Sequence, residues 1–237
     1  MLARLGHRLI SAVFPPTCVL CGAPGTEGRD LCSGCDADLP RNRPACAHCA
    51  LPFEMPVPEG TLCGSCQRRR PRPPFDRCVA AFRYEAEVPV LIGGAKFEGR
   101  LDRVRLLGQC LAAEIRELGM PLPEALVPVP LHRRRLRERG YNQALEIARV
   151  VGAELRLPVD PYCCDRIAAT PPQAGLDERS RRRNLRGAFV AREPFPWSHV
   201  AILDDVVTTG STVAELSRVL RRAGARRIEV WAVARTP

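Results

Sequence analysis

The chain has no long apolar segment, although 46% of its 237 residues are hydrophobic. No run approaches the roughly 18 consecutive apolar residues of a membrane-spanning helix, so no membrane span is expected. The first 14 residues are amphipathic, but they lack the continuous apolar core and the small-residue cleavage site of a secretory signal. We therefore predict that they form a packing helix and that the protein is cytoplasmic.

Aromatic side chains and lysine are also scarce. Aromatic residues make up 5% of the chain, so platforms on which nucleic-acid bases could stack, such as Trp197, Trp231 and Tyr141, are few. Lys96 is the single lysine, and the other 35 basic residues are arginine. Against 26 acidic residues this gives a formal net charge of +10, which favours ligands that carry phosphate, including nucleic acid.

Cysteine, by contrast, is abundant, and eight of the 12 cysteines fall into four C-x-x-C pairs. Two residues between ligands let one short turn place both thiolates on the same tetrahedral ion, whereas disulfides are rare in the cytosol. The pattern predicts a double zinc ribbon with two structural Zn²⁺ sites, in which the pairs combine either sequentially or in an interleaved order. His48 lies between two of these cysteines, but it would be a ninth ligand and is left out. The predicted zinc ligands are Cys18, Cys21, Cys32, Cys35, Cys46, Cys49, Cys63 and Cys66.

An arginine- and proline-rich stretch follows the last cysteine pair and predicts a connector between two domains. Residues 68–74 contain four arginines and three prolines, a composition that favours an extended, semi-rigid chain. We predict an N-terminal helix and double zinc ribbon over residues 1–72, and a second domain over residues 75–237.

Strand-like and helix-like patterns alternate through the second domain. Apolar runs predict strands over residues 78–84, 125–129 and 228–234, and helical spacing predicts helices over residues 101–118 and 142–155. Alternation of this kind implies an α/β fold with a doubly wound, mostly parallel sheet.

The run from Val200 to Thr212 combines a buried strand, two adjacent carboxylates and a glycine-containing turn that opens a helix. Ligands of open parallel sheets bind at the carboxyl ends of the strands, where helix N-termini favour a phosphate. Asp204 and Asp205 would repel a phosphate, so their expected partners are the hydroxyls of a sugar diol and a hydrated Mg²⁺. The predicted phosphate ligands are the amides and hydroxyls of the turn, Val207, Thr208, Thr209, Gly210, Ser211 and Thr212.

This run resembles the ribose-5-phosphate signature of the type I phosphoribosyltransferases, which consists of an apolar strand, two acidic residues and a T-T/S-G-x-T loop. The resemblance implies a sheet of the type I phosphoribosyltransferase kind and a ligand, phosphoribosyl pyrophosphate, that binds with Mg²⁺. It also implies that Asp204 and Asp205 hold the ribose hydroxyls and that residues 207–212 surround the 5'-phosphate.

A second resemblance extends from the first cysteine pair to the C-terminus. Residues 127–143, which contain V-P-V-P-L-H and G-Y-N-Q, residues 170–176, which begin T-P-P-Q, and the G-A-F of residues 187–189 are similar to the ComF family. This phosphoribosyltransferase-like group is associated with bacterial competence for DNA uptake. Gln173 and the two residues Arg181 and Asn184 also fit the family pattern, either as substrate contacts or as surface and helix-capping residues.

The resemblance to the phosphoribosyltransferases implies that pyrophosphate lies at the loop after Val129. That loop carries five arginines, whose planar guanidinium groups match phosphate oxygens. Arg133 and Arg139, with Gly140, are the predicted pyrophosphate ligands. Lys96 coincides with a lysine position of the ComF pattern, and its compact ammonium suits a crowded leaving group, so we hypothesise that it also contacts the pyrophosphate.

Two classes of function remain open at this point. In the first, the chain is a phosphoribosyltransferase that displaces pyrophosphate from C1 of ribose, with no acceptor and no catalytic base identified. In the second, the fold binds phosphoribosyl pyrophosphate or a related sugar phosphate without turnover. The protein would then handle single-stranded nucleic acid as an adaptor, with the DNA-uptake machinery as its partner.

Overall fold

The computed structural model describes residues 15–26, 28–68, 73–97, 100–168 and 185–237, and the side chains of residues 96 and 97 lie outside that description. The strands within these ranges are β1 (Arg77–Arg83), β2 (Ala125–Pro128), β3 (Cys164–Arg166), β4 (Phe189–Ala191), β5 (His199–Val207) and β6 (Arg227–Arg235). One parallel sheet has the order β1-β6-β5-β2, and β3 pairs with β4 as an antiparallel ribbon. The predicted α/β fold with a mostly parallel sheet is confirmed.

Helices cover both faces of the sheet. The helices of the described ranges are α1 (Ser33–Asp38), α2 (Gly64–Arg68), α3 (Val88–Phe97), α4 (Leu101–Glu117), α5 (Arg133–Arg139), α6 (Gln143–Leu155) and α7 (Ser211–Ala223). The chain moves one way along the sheet from β1 through α4 to β2, and the opposite way from β5 through α7 to β6. Right-handed crossovers therefore place α4 and α7 on opposite faces, and α6 packs against α4. Among the residues that the structure describes, none of these helices has both the length and the apolar composition that a membrane span requires.

Local signals in the sequence account for most of the element ends. The side chain of Asn142 accepts a hydrogen bond from the amide of Ala144 at 3.1 Å and so caps α6, the helix predicted over residues 142–155. The strand that was predicted to present the two aspartates continues past them to Val207, because β6 pairs with it along that length. One expectation was wrong in detail. The predicted loop after Val129 contains a short helix, α5. The predicted packing helix over residues 1–14 lies outside the described residues.

The cysteine-rich segment packs on the edge of the sheet formed by β1. Arg41 lies opposite Phe82 in an antiparallel bridge, and the amides of Arg83 and Asn42 bond to carbonyl groups across that contact at 2.8 and 3.1 Å. Leu31 and Leu39 share one buried apolar cluster with Phe82. The segment thereby covers a strand edge that would otherwise expose unpaired backbone groups.

A buried carboxylate lies near the amino ends of β5 and β6. The side chain of Glu229 has no exposed surface, and it accepts hydrogen bonds from Arg227 at 2.8 Å and from the indole nitrogen of Trp231 at 3.0 Å. The Nε2 atom of His199 on β5 lies 3.2 Å from the same carboxylate. The partners of Glu229 thus compensate for the removal of its charge from water, and they connect the two central strands.

Candidate functional site: a cysteine double site and a charged cavity

The structure groups the eight paired cysteines into two quartets, Cys18, Cys21, Cys32 and Cys35, and Cys46, Cys49, Cys63 and Cys66. Within each quartet the sulfur atoms all lie within 4.8 Å of one another, and the Cys21–Cys32 and Cys49–Cys63 sulfur distances are both 3.7 Å. A tetrahedral ion with zinc–sulfur bonds of about 2.3 Å has edges of about 3.8 Å. The quartets therefore fit Zn²⁺, and of the two predicted pairings the sequential one is correct.

Hydrogen bonds from main-chain amides favour the thiolate form that binds zinc. The amide of Cys63 donates to the sulfur of Cys46 at 3.2 Å. The neighbouring thiol of Cys49, together with main-chain amides, outweighs burial and lowers the pKa of Cys46 to about 4. Burial raises the pKa of Cys18, but amide hydrogen bonds outweigh it and lower that pKa to about 6. These hydrogen bonds thus favour a thiolate at one position in each quartet.

The ring of His48 lies against the α/β part of the chain and is not a member of either cysteine quartet. Its ring stacks on Phe75 with the centroids 5.1 Å apart, and its Nδ1 atom lies 3.1 Å from the carbonyl oxygen of Asp76. This position of the ring agrees with the predicted set of zinc ligands, which does not include His48.

A cavity of about 170 Å³ lies at the carboxyl ends of the neighbouring strands β2 and β5. Its charged and hydroxyl-bearing lining comes from three parts of the chain: Asp204, Asp205 and Thr212 around the end of β5, Arg135 and Arg139 on α5, and Arg166 on β3. Parallel packing of β2 and β5 brings the ends of these strands together although their sequences lie about 75 residues apart. Carboxylates and guanidinium groups therefore line one small space.

The backbone of β5 holds both aspartates in place. The Oδ1 atom of Asp204 accepts a hydrogen bond from the amide of Asp205 at 2.9 Å, and the Oδ1 atom of Asp205 accepts one from the amide of Val206 at 2.7 Å. Asp205 is buried, with 8% of its surface exposed. Carboxylates fixed in this way can accept hydrogen bonds from a diol or coordinate a cation without first being ordered.

The turn after β5 leads directly into α7. Gly210 has a φ of 73°, and a Cβ placed there would meet no atom closer than 3.9 Å. The left-handed backbone conformation, and not a lack of space, therefore explains why glycine occupies this position. The hydroxyl oxygens of Thr209 and Ser211 lie 2.8 Å apart across the turn. Thr212 lines the cavity, whereas residues 207–211 are not part of its lining.

The basic wall differs in part from the prediction. Arg135 and Arg139 lie four residues apart on one face of α5 and line the cavity, but Arg133 does not, because two residues of helix turn its side chain away. Gly140, with a φ of 80°, ends α5 and donates its amide to the carbonyl of Leu136 at 2.9 Å. The structure therefore gives Gly140 a helix-ending role beside the cavity.

Arg166 is a cavity residue that the sequence analysis missed. Its guanidinium carbon lies 5.5 Å from the ring centre of Phe189, its neighbour in the β3–β4 ribbon. Burial, and then the nearby charge of Arg135, lower the pKa of Arg166, while Asp204 acts in the opposite direction. Arg166 belongs to a three-residue strand outside every recognisable motif, so only the folded ribbon reveals its place.

Comparison with known proteins supports the double zinc ribbon and identifies the family of the chain. Residues 9–67 match the family model of the double zinc ribbon domain. Competence protein F of Haemophilus influenzae is 35% identical over 212 residues, which cover 86% of this chain and 90% of that protein. The chain belongs to the ComF family. DNA utilization protein YhgH of Salmonella typhi is 35% identical over 227 residues, covering 94% and 98% of the two chains. Competence protein ComFC of Streptococcus pneumoniae is 23% identical over 209 residues, covering 86% and 87%.

Some of the residues that follow the ComF pattern fall outside what the structure describes. Lys96 lies within α3, but its side chain is not described, so its predicted contact with pyrophosphate stays a prediction. Gln173, Arg181 and Asn184 lie in the range 169–184, which is outside the described residues. The ComF segment at residues 187–189 leads into β4, which pairs with the strand that carries Arg166.

Proposed function

We propose that this ComF protein binds phosphoribosyl pyrophosphate with Mg²⁺ in the cavity between the ends of β2 and β5. The observation that carries the proposal is that two walls of opposite charge line one cavity, with Asp204 and Asp205 on β5 and three arginines on α5 and β3. A ligand that suits both walls carries hydroxyls, which the carboxylates can bind directly or through a metal ion, and phosphate groups beside them. Phosphoribosyl pyrophosphate has a diol between its 5'-phosphate and its pyrophosphate.

Each wall has a distinct role in the proposal. The carboxylates of Asp204 and Asp205 accept hydrogen bonds from the ribose diol, and their oxygens are the donors that Mg²⁺ prefers. Bound Mg²⁺ would neutralise charge on the pyrophosphate. Thr212 and the amino end of α7 accommodate the 5'-phosphate, and Arg135, Arg139 and Arg166 hold the pyrophosphate.

If the chain is an enzyme, the arginine wall is the part that accelerates the reaction. Guanidinium groups that already face the pyrophosphate stabilise the charge that develops as it leaves C1. Arg135 and Arg139 lie on one helix and Arg166 on a strand, so regular backbone structure already places the three residues around the cavity before the ligand arrives.

We also propose that the protein acts in the uptake or use of DNA, in the cytoplasm. Two of its relatives are competence proteins and a third is a DNA utilization protein. Eight zinc-binding thiols are compatible with a reducing compartment.

Direct stacking of DNA bases receives less support from the described residues than sugar-phosphate binding does. Trp231 is fully buried, and its indole nitrogen donates to Glu229. Trp197 is partly buried and donates to Asp160 at 2.8 Å. Neither tryptophan ring is available as an open stacking platform, so an adaptor role would depend on phosphate contacts and on exposed tyrosines such as Tyr162.

Addition of phosphoribosyl pyrophosphate with Mg²⁺ is expected to raise the melting temperature. At a ligand concentration about 100 times Kd the gain is about 2.7 kcal/mol, which corresponds to a rise of roughly 5–10 °C for a chain of this size. Differential scanning fluorimetry would measure it, with Mg²⁺ alone and inorganic pyrophosphate with Mg²⁺ as separate controls. No rise at saturating ligand would contradict the proposed function.

Replacing Arg139 with glutamine is expected to weaken binding of phosphoribosyl pyrophosphate by on the order of tenfold, because a charge-assisted hydrogen bond is lost. Arg133→Gln is the matched control, since Arg133 lies on the same helix but does not line the cavity. Isothermal titration calorimetry of the two variants would compare their Kd values. Equal weakening by both changes would show that the general charge of α5, and not the cavity contact, attracts the ligand.

A further inference from the structure

One arginine connects the second cysteine quartet to the turn after β5. Arg235 is the last residue of β6 and is buried, with 8% of its surface exposed. Its Nε atom donates to the carbonyl oxygen of Cys49 at 3.2 Å. Its Nη1 atom donates to the carbonyl oxygen of Val207 at 3.2 Å and also to that of Thr208. A single guanidinium thus spans a zinc-ligand residue and the beginning of the turn.

These two carbonyl contacts determine which way the amides of the turn point. A peptide group is planar and trans, so its N–H points away from its C=O. The carbonyl of Val207 shares a peptide with the amide of Thr208, and the carbonyl of Thr208 shares one with the amide of Thr209. Because Arg235 holds both oxygens on its own side, both amides point to the opposite side. The amide of Thr236 also donates to the carbonyl of Val207 at 3.1 Å, so the amide of Thr209, which shares a peptide with the carbonyl of Thr208, is the one whose orientation depends chiefly on Arg235.

The other end of the connection is held by the zinc knuckle. The amide of Ala50 donates to the carbonyl of Cys46 at 2.9 Å, which closes the knuckle, and the amide of Cys78 on β1 donates to the carbonyl of His48 at 2.8 Å. The Cys49 side chain belongs to the second quartet, so bound zinc would limit the movement of its carbonyl as well. In the first quartet the corresponding residue, Cys21, is exposed to solvent.

We propose that Arg235 is a positioning residue that couples zinc binding at the second quartet to the geometry of the turn after β5. Without zinc, Cys49 is released from its quartet and its carbonyl no longer holds the guanidinium in place, so the turn carbonyls of Val207 and Thr208 lose a fixed donor. The consequence for phosphate binding rests on the proposed function. The consequence for the turn itself rests only on the contacts of Arg235.

Amide hydrogen exchange in the full-length protein without ligand tests the coupling independently of ligand binding. In Cys49→Ser we expect one zinc ion per chain to be lost, and exchange over residues 208–210 to become faster by on the order of tenfold. Cys21→Ser is the matched control, because it also removes one ligand of one zinc site. There we expect exchange over the same residues to stay as in the unaltered protein. Equal acceleration in both variants, or none in Cys49→Ser, would overturn the coupling.

Arg235→Lys provides a test in which both zinc sites keep all their ligands. A single ammonium group cannot reach the carbonyl of Cys49 and those of Val207 and Thr208 in the way the guanidinium fork does. We expect two zinc ions per chain, faster exchange over residues 208–210, and binding of ribose 5-phosphate weakened by on the order of tenfold. Unchanged exchange in this variant would refute the role of Arg235. If the unaltered protein binds no ribose 5-phosphate, the proposed function fails, and the exchange measurements still decide the coupling.

Discussion

Replacing Asp204 and Asp205 together with asparagine is expected to abolish the rise in melting temperature that phosphoribosyl pyrophosphate and Mg²⁺ produce. Asparagine removes both negative charges from the cavity, so the diol loses its strongest acceptors and Mg²⁺ loses its carboxylate donors. The rise should fall from roughly 5–10 °C to less than about 1 °C at the same ligand concentration. Scanning fluorimetry of the double variant with and without ligand would measure the difference.

The double variant should still fold, because the side-chain oxygen of asparagine can accept the same main-chain hydrogen bonds from Asp205 and Val206. Asp165→Asn is a suitable control, since this carboxylate pairs with Arg192 at 2.8 Å on the β3–β4 ribbon and does not line the cavity. In Asp165→Asn the rise in melting temperature that the ligand produces should be unchanged.

Nucleic-acid binding through arginine would instead fall steeply with salt and survive loss of the two aspartates. A ligand-induced rise that persists in the double variant would place the sugar phosphate elsewhere.

Replacing Glu229 with alanine is expected to lower the free energy of unfolding by about 3–5 kcal/mol, because the change leaves buried polar partners without their acceptor. Arg227 and Trp231 both donate to this carboxylate, and His199 lies against it. For a chain of this size the melting temperature should fall by roughly 6–20 °C. Chemical denaturation followed by tryptophan fluorescence would provide the free energy directly.

Glu154→Ala is the matched control for that experiment. Glu154 forms an ion pair with Arg116 at 2.7 Å, but half of the arginine side chain and about a third of the glutamate side chain are exposed. Solvent screens such a pair, so its loss should cost no more than about 1 kcal/mol. If both substitutions lowered the free energy of unfolding by similar amounts, burial would not make the Glu229 interactions stronger than the exposed ion pair of Glu154.

Features whose chemistry depends on local spacing could be predicted from the sequence. The four C-x-x-C pairs predicted two zinc sites with four cysteine ligands each, because each pair already places two thiolates within reach of one ion. Adjacent aspartates at the end of an apolar strand predicted carboxylates at the ligand-binding edge of a parallel sheet. Both sets of side chains are close together in the structure.

Features that depend on which distant segments meet could not be predicted. Five arginines follow Val129, but the helical turn of α5 decides that Arg135 and Arg139, and not Arg133, reach the cavity. Arg166 enters the same cavity from a strand that no motif identifies.

The amino-acid sequence by itself determined the zinc ligands, the parallel α/β architecture and the acidic end of the central strand, because each of these follows from residues close together in the chain. Only the tertiary structure decided the sequential pairing of the cysteines, the composition of the arginine wall and the link from Cys49 through Arg235 to the turn. That link joins residues 186 positions apart, and local spacing contains no information about a contact across such a distance.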